Sequence, residues 1–303
     1  VSYSPQARIL GRNVHWVPTR KENGYRLTPE KLERICRADP NLPRIVILNY
    51  PSNPTGATYT MERLNELAEV ARKYRIVLIS DEIYGQIHHQ GKPVSIARFY
   101  PEGTIISSGL SKWCGAGGWR LGTFSFPAEL EWLQDAMAIV ASETFTATSA
   151  PIQFASITAF NGSEMIDDYL RTSRKILKAI AHSLTAKLDQ MNAIYPKPEG
   201  AFYLFPDFEP YRERLISKGM YTSVEFCDRL LDETGVAMLP GSDFGRQPEE
   251  LTARMAYVDF NGESALEAAF AFVDKPLDDE FIKKHCGRLL KAFDRLGNWL
   301  NDL

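Results

Sequence analysis

The chain is predicted to be α/β, a mostly parallel sheet sandwiched by helices with a smaller α+β domain after it, and three observations predict this. Short runs of apolar, mainly β-branched residues occur at 44–49, 76–80 and 104–107. They are continuous instead of alternating, as expected of strands buried on both faces of a parallel sheet. Between the first two lies a stretch with helical periodicity, which makes a βαβ unit. Each run also empties into polar residues, and parallel sheets bind ligands in the crevice beyond the carboxyl ends of their strands.

Taken in order, the run at 44–49 leads into the rigid turn Tyr50-Pro51-Ser52-Asn53-Pro54-Thr55-Gly56. Thr60 caps a helix whose apolar positions are Met61, Leu64, Leu67, Ala68 and Ala71. The strand at 76–80 delivers Asp81-Glu82-Ile83-Tyr84, and the strand at 104–107 leads into a lysine segment. A long helix is marked by Ile166, Leu170, Leu177, Ile180, Leu184, Leu188 and Met191, and it links two domains, 1–180 and 181–303. Pro196-Lys197-Pro198-Glu199-Gly200 punctuates the chain. A strand is expected at 201–205, a helix at 224–233 stopped by Gly235, and strands at 236–241 and 254–259. One amphipathic closing helix carries Phe281, Cys286, Leu289, Leu290, Phe293, Leu296 and Leu300.

Composition bounds the function without choosing it. The 303 residues are 44% hydrophobic and 24% charged, with a net charge of -3, which suits a soluble globular protein. There is no basic stripe for nucleic acid, no run long enough to cross a bilayer and no secretory signal. Cys36, Cys114, Cys227 and Cys286 are scattered, without metal-ligand or disulfide-framework spacing, and a cytoplasmic location is expected. The adjacent His88 and His89 read as loop residues whose side chains point apart.

The chemistry concentrates in Ser108-Gly109-Leu110-Ser111-Lys112-Trp113-Cys114-Gly115-Ala116-Gly117-Gly118-Trp119-Arg120-Leu121-Gly122. A lysine amine among small residues can form a Schiff base with an aldehyde cofactor, and a planar guanidinium can grip a phosphate through paired hydrogen bonds. The strand ends bring Asn53, Asp81, Tyr84, Lys112 and Arg120 toward one place. Asp81-Glu82 alone would read as an acid pair at a helix start, and Asn53-Pro54-Thr55-Gly56 alone as a turn.

Four blocks together give a more specific reading: residues 49–56, Ser80-Asp81-Glu82-Ile83-Tyr84, the lysine segment, and Leu251-Thr252-Ala253-Arg254-Met255-Ala256-Tyr257. In order and separation they resemble the class I and II aminotransferases, pyridoxal-phosphate enzymes of fold type I, from the first residues to about Gly262. The resemblance implies that Lys112 carries pyridoxal 5'-phosphate as a Schiff base and later moves the substrate Cα proton. Asp81 would lie against the pyridine nitrogen, and Asn53 and Tyr84 would bond the phenolic oxygen. Arg120, with Ser108 or Ser111, would hold the phosphate, and Arg254 the substrate α-carboxylate. Tyr203 would lie near the substrate pocket or in the core. The resemblance implies an aminotransferase acting on an L-amino acid and a 2-oxo acid, working as a homodimer. A lyase or synthase of the same fold, eliminating at the β or γ carbon, and a non-catalytic fragment of the fold are the alternatives. Val1 falls partway along the family's length, so an N-terminal portion that carries a phosphate-cupping loop and a ring-stacking aromatic is expected to be absent from this sequence.

Overall fold

In the computed structural model, which describes residues 3–145, 148–272 and 275–303, two sheets are joined by helices. The first is preceded by α1 (Tyr3–Ile9) and α2 (Pro29–Ala38), the latter capped by the Thr28 hydroxyl with proline at its first position. Its strands are β1 (Ile45–Asn49), β2 (Val77–Asp81), β3 (Thr104–Gly109) and β4 (Gly122–Ser125), in the order β1-β2-β3-β4. The first three run parallel and β4 closes the edge antiparallel, which the sequence reading did not foresee.

Between β1 and β2, α3 (Met61–Lys73) starts where expected. The Thr60 hydroxyl accepts the Arg63 N–H, and Leu64, Leu67, Ala68 and Ala71 bury on the sheet. Met61 stays exposed. With Leu32, Cys36, Leu48, Leu78 and Ile96, this helix closes one apolar core.

The expectation of a sheet buried on both faces fails at β1, where Ile45 is 62% exposed while Leu48 is buried. An unbroken apolar run shows that a strand has two apolar faces, not that both are covered. Beyond β4, α4 (Glu131–Thr144) and α5 (Ala150–Asn161) likewise leave Trp132, Ile139, Val140, Phe154 and Ile157 exposed.

The long helix is α6 (Glu164–Gln190), capped by Ser163, with Leu170, Leu177, Ile180, Leu184 and Leu188 buried along one stripe. A three-stranded antiparallel sheet follows, β5 (Tyr203–Leu204), β6 (Leu239–Pro240) and β7 (Ala253–Ala256), in the order β5-β7-β6. Its strands are shorter than the apolar runs suggested. Ala201 adopts φ 56°, which takes the start of the expected 201–205 strand out of the ladder.

Around this sheet lie α7 (Arg212–Ser217), α8 (Ser223–Thr234), α9 (Gly262–Phe270), α10 (Asp279–His285) and α11 (Gly287–Asn301). Gly235, at φ 72°, ends α8 as expected. The closing helix is two helices, because Cys286 leaves helical geometry at φ -125° and ψ 21°. Its apolar spacing survives the break because both pieces pack on the same core as α6.

His88 and His89 lie in a loop, as read from the sequence, and both are buried there. The 3-10 turn Gly85–Ile87 carries them inward, and His89 Nε2 lies 3.3 Å from the Ala201 carbonyl and 3.4 Å from the Tyr257 hydroxyl. Burial lowers the His89 pKa to about 4. In the unfolded chain the ring binds a proton from about pH 6.5 downward, while the folded chain resists until about 4. Stability is therefore full above pH 6.5 and falls by up to about 3 kcal/mol as pH drops through that window. Chemical denaturation at pH 7.5 and 4.5 should show wild type losing that much more than His89→Gln; equal losses would place His89 outside the linkage.

Candidate active site

Strand ends of both sheets supply the site. Asn49, the last residue of β1, pairs with Asp81, the last of β2, and its side chain does two things at once. Its Nδ2 donates to the Asp81 carbonyl at 3.2 Å and its Oδ1 accepts the Asn53 N–H at 2.7 Å. The turn bearing Asn53 is thereby tied to the strand bearing Asp81. Gly56 completes the turn at φ 68°, where a Cβ would stand 2.9 Å from the Tyr203 carbonyl oxygen, and its own carbonyl accepts from Glu199 and Gly200. This close approach presses the turn against the chain entering β5.

Asp81 is buried as the final residue of β2, not as a helix-start acid. Its Oδ1 accepts the Ile83 N–H at 3.2 Å, and its Oδ2 accepts the hydroxyl of Tyr3 from α1. Burial raises its pKa, and the hydrogen bonds from Tyr3 and Ile83 oppose that rise. Tyr3 was not among the sequence candidates, since nothing local in the sequence links it to a carboxylate 78 positions away.

Arg254 comes from β7 and meets Asn53, its Nη1 donating to Asn53 Oδ1 at 3.1 Å. Its guanidinium carbon lies 4.9 Å from the Tyr203 ring centre and 5.2 Å from that of Phe244. Phe244 was also missed, as a lone aromatic in a loop carries no signal. The Arg254 Nε is buried and has no hydrogen-bond partner among the described residues, a costly state for a charged donor unless a ligand completes it.

Tyr84 is buried beside Tyr203, with the two hydroxyl oxygens 2.7 Å apart. Burial and the Tyr203 contact both push the Tyr84 pKa upward. Lys112 closes the group, its Nζ 5.9 Å from the Tyr84 ring centre and 6.0 Å from that of Phe202. No hydrogen bond among the described residues engages that amine.

Five of the predicted neighbours thus form one chain of contacts, Asn53, Arg254, Tyr203, Tyr84 and Lys112, and the Asn49 side chain ties the backbone of Asn53 to that of Asp81. Ser108 on β3 and Ser111 beside Lys112 are partly exposed, and no hydrogen bond among the described residues joins them to the group. Arg120 is exposed at φ 58°, and its Nη1 donates to the Gly117 carbonyl at 2.9 Å. A cavity of about 500 Å³ lies elsewhere, between residues 19–25 and Asp207, Glu209, Arg246 and Glu250, where Lys21 pairs with Asp207 and Arg246 with Glu250. Among the described residues no acidic, histidine or cysteine group could hold a metal ion, and no helix is long and apolar enough to cross a membrane.

The donor set fits a carboxylate-bearing substrate and a pyridine-ring cofactor. A half-buried guanidinium has a buried N–H without a partner among the described residues, a buried carboxylate accepts a polar hydrogen, and an amine without a hydrogen bond among the described residues lies about 6 Å from two ring centres. Comparison with known proteins agrees. The aspartate aminotransferase of Bacillus subtilis is 35% identical over 91% of this chain and 68% of its own length. The aromatic-amino-acid aminotransferase 2 of Thermococcus litoralis is 32% identical over 92% of this chain and 68% of its own. Among solved structures, a Thermus thermophilus aspartate aminotransferase double mutant superposes with a TM-score of 0.78 at 27% identity, covering 98% of this chain and 66% of the other. An aromatic aminotransferase of Pyrococcus horikoshii gives 0.78 at 28% identity, covering 100% and 71%. The chain spans about two thirds of the length of such relatives. The family model described as aminotransferase class I and II matches residues 1–259, and the chain belongs to that family.

Proposed function

We propose that this chain is an aminotransferase that moves an amino group between an L-amino acid and a 2-oxo acid, with pyridoxal 5'-phosphate, the cofactor of its family, held on Lys112. The observation that carries the reading is the Arg254 guanidinium, fixed by Asn53 and two rings with its buried Nε unpartnered among the described residues, within one contact chain of Lys112. Such a group suits an α-carboxylate, which amino donor and acceptor share. The cofactor, when bound, supplies an electron sink conjugated to the substrate Cα.

The chain's own residues then have separate tasks. Lys112 anchors the cofactor and, once released, takes and returns the proton at the substrate Cα. Asp81 holds a proton on the ring nitrogen, as a carboxylate kept in place by polar hydrogens can. Asn53 spends its carbonyl oxygen on Arg254, which leaves its amide hydrogens to donate to the phenolic oxygen beside Tyr84. Ser108, Ser111 and Arg120 receive the phosphate at the end of β3 and in the loop after it. Apolar side chains exposed on α4 and α5 support a homodimer as the working form.

The test is borohydride reduction of the chain with pyridoxal phosphate, followed by peptide mass mapping. A pyridoxyl group on Lys112 is expected, and an adduct confined to another lysine, or none, would overturn the reading. Adding an amino acid to the unreduced complex should then yield pyridoxamine phosphate. Release of ammonia instead would point to elimination.

A further inference from the structure

Tyr84 and Tyr203 form a buried pair whose hydroxyls touch only each other among the described residues. The oxygens are 2.7 Å apart, the rings meet edge-on at 5.5 Å and 81°, and both residues are 4% exposed. Each hydroxyl has one proton to give and lone pairs to receive. If Tyr84 donates to Tyr203, it has nothing left for a cofactor. If Tyr203 donates to Tyr84, the Tyr84 proton is available.

We infer that Tyr203 is a positioning residue that donates its proton to Tyr84 and so aims the Tyr84 proton at the phenolic oxygen of the cofactor. The inference rests on the reading proposed above. Two features favour this direction. The Arg254 guanidinium lies against the Tyr203 ring and its charge opposes the effect of burial on both hydroxyls, whereas the Asp81 charge pushes Tyr84 alone upward, leaving Tyr203 the readier donor. Phe202 stands edge-on to Tyr84 at 5.6 Å and offers no acceptor, so the Tyr84 O–H has no competing partner on that side. In a chain of two hydrogen bonds each polarises the other, and Tyr203 would strengthen a donation that Tyr84 makes.

The visible absorbance of the bound cofactor as a function of pH reads this directly, because its midpoint reports the proton on the linkage nitrogen. Weaker donation to the phenolic oxygen leaves more negative charge facing that nitrogen and raises the midpoint. Tyr203→Phe, which keeps the ring against Arg254, should raise it by about 0.5 pH unit. Tyr84→Phe should raise it further, and adding Tyr203→Phe to that variant should change nothing more. An unchanged midpoint in Tyr203→Phe, or shifts that simply add in the double variant, would overturn the relay while leaving the cofactor assignment standing. A wild-type chain that develops no visible band with pyridoxal phosphate would overturn the assignment and the relay together.

Discussion

Lys112→Ala should lower turnover by a factor on the order of 10⁴ or more, because the variant loses the cofactor's covalent anchor and the base that moves the Cα proton together. The fold should be almost unaffected. Lys112 is partly exposed, its Nζ stands about 6 Å from two ring centres, and no hydrogen bond among the described residues depends on it. Steady-state kinetics beside thermal unfolding separates the two effects, with a collapse in kcat/KM at a nearly constant Tm as the expected pattern. Turnover within tenfold of wild type, with a reducible linkage at another lysine, would remove Lys112 from the chemistry.

The second large effect is expected at Arg254. Arg254→Ala removes a bidentate partner for the α-carboxylate. At about 1.5–3 kcal/mol for each charge-assisted hydrogen bond, amino-acid and oxo-acid affinity should fall by roughly 10²–10⁴-fold. Cofactor affinity should change far less, since the groups that Arg254 touches are Asn53 Oδ1 and two aromatic rings. Calorimetric titration with a 2-oxo acid, set against a separate titration with pyridoxal phosphate, gives both numbers. Equal loss of the two would place Arg254 at the cofactor instead of the substrate.

The cores of these predictions could be read before the fold was known because their signals are local. Thr60 followed by apolar residues at helical spacing fixes α3, and three apolar runs fix β1, β2 and β3. Asp81, Lys112 and Asn53 stand immediately after or at the ends of those elements, so placing the strands places them. Tyr3, Phe244 and the Tyr84–Tyr203 pair have no such local mark, because the sheets alone set the contacts. The loop position of His88 and His89 was legible, but their burial was not, since it follows from the turn Gly85–Ile87. The break at Cys286 was hidden by an apolar stripe that continues across it. Exposure of Ile45 was equally hidden, as the sequence of a strand does not record which neighbour covers it.

The hydrogen bonds that define the site join residues far apart along the chain: 78 positions for Tyr3 and Asp81, 119 for Tyr84 and Tyr203, and 201 for Arg254 and Asn53. Each requires a large loop to close before any interaction rewards it, whereas α3 and α6 need only neighbours three or four residues away. During refolding, then, helical content is expected to return before the binding pocket, which shares the main apolar core, is assembled. Competence to bind is therefore expected to come late, and a ligand that completes Arg254 stabilises the arrangement in which both sheets have met.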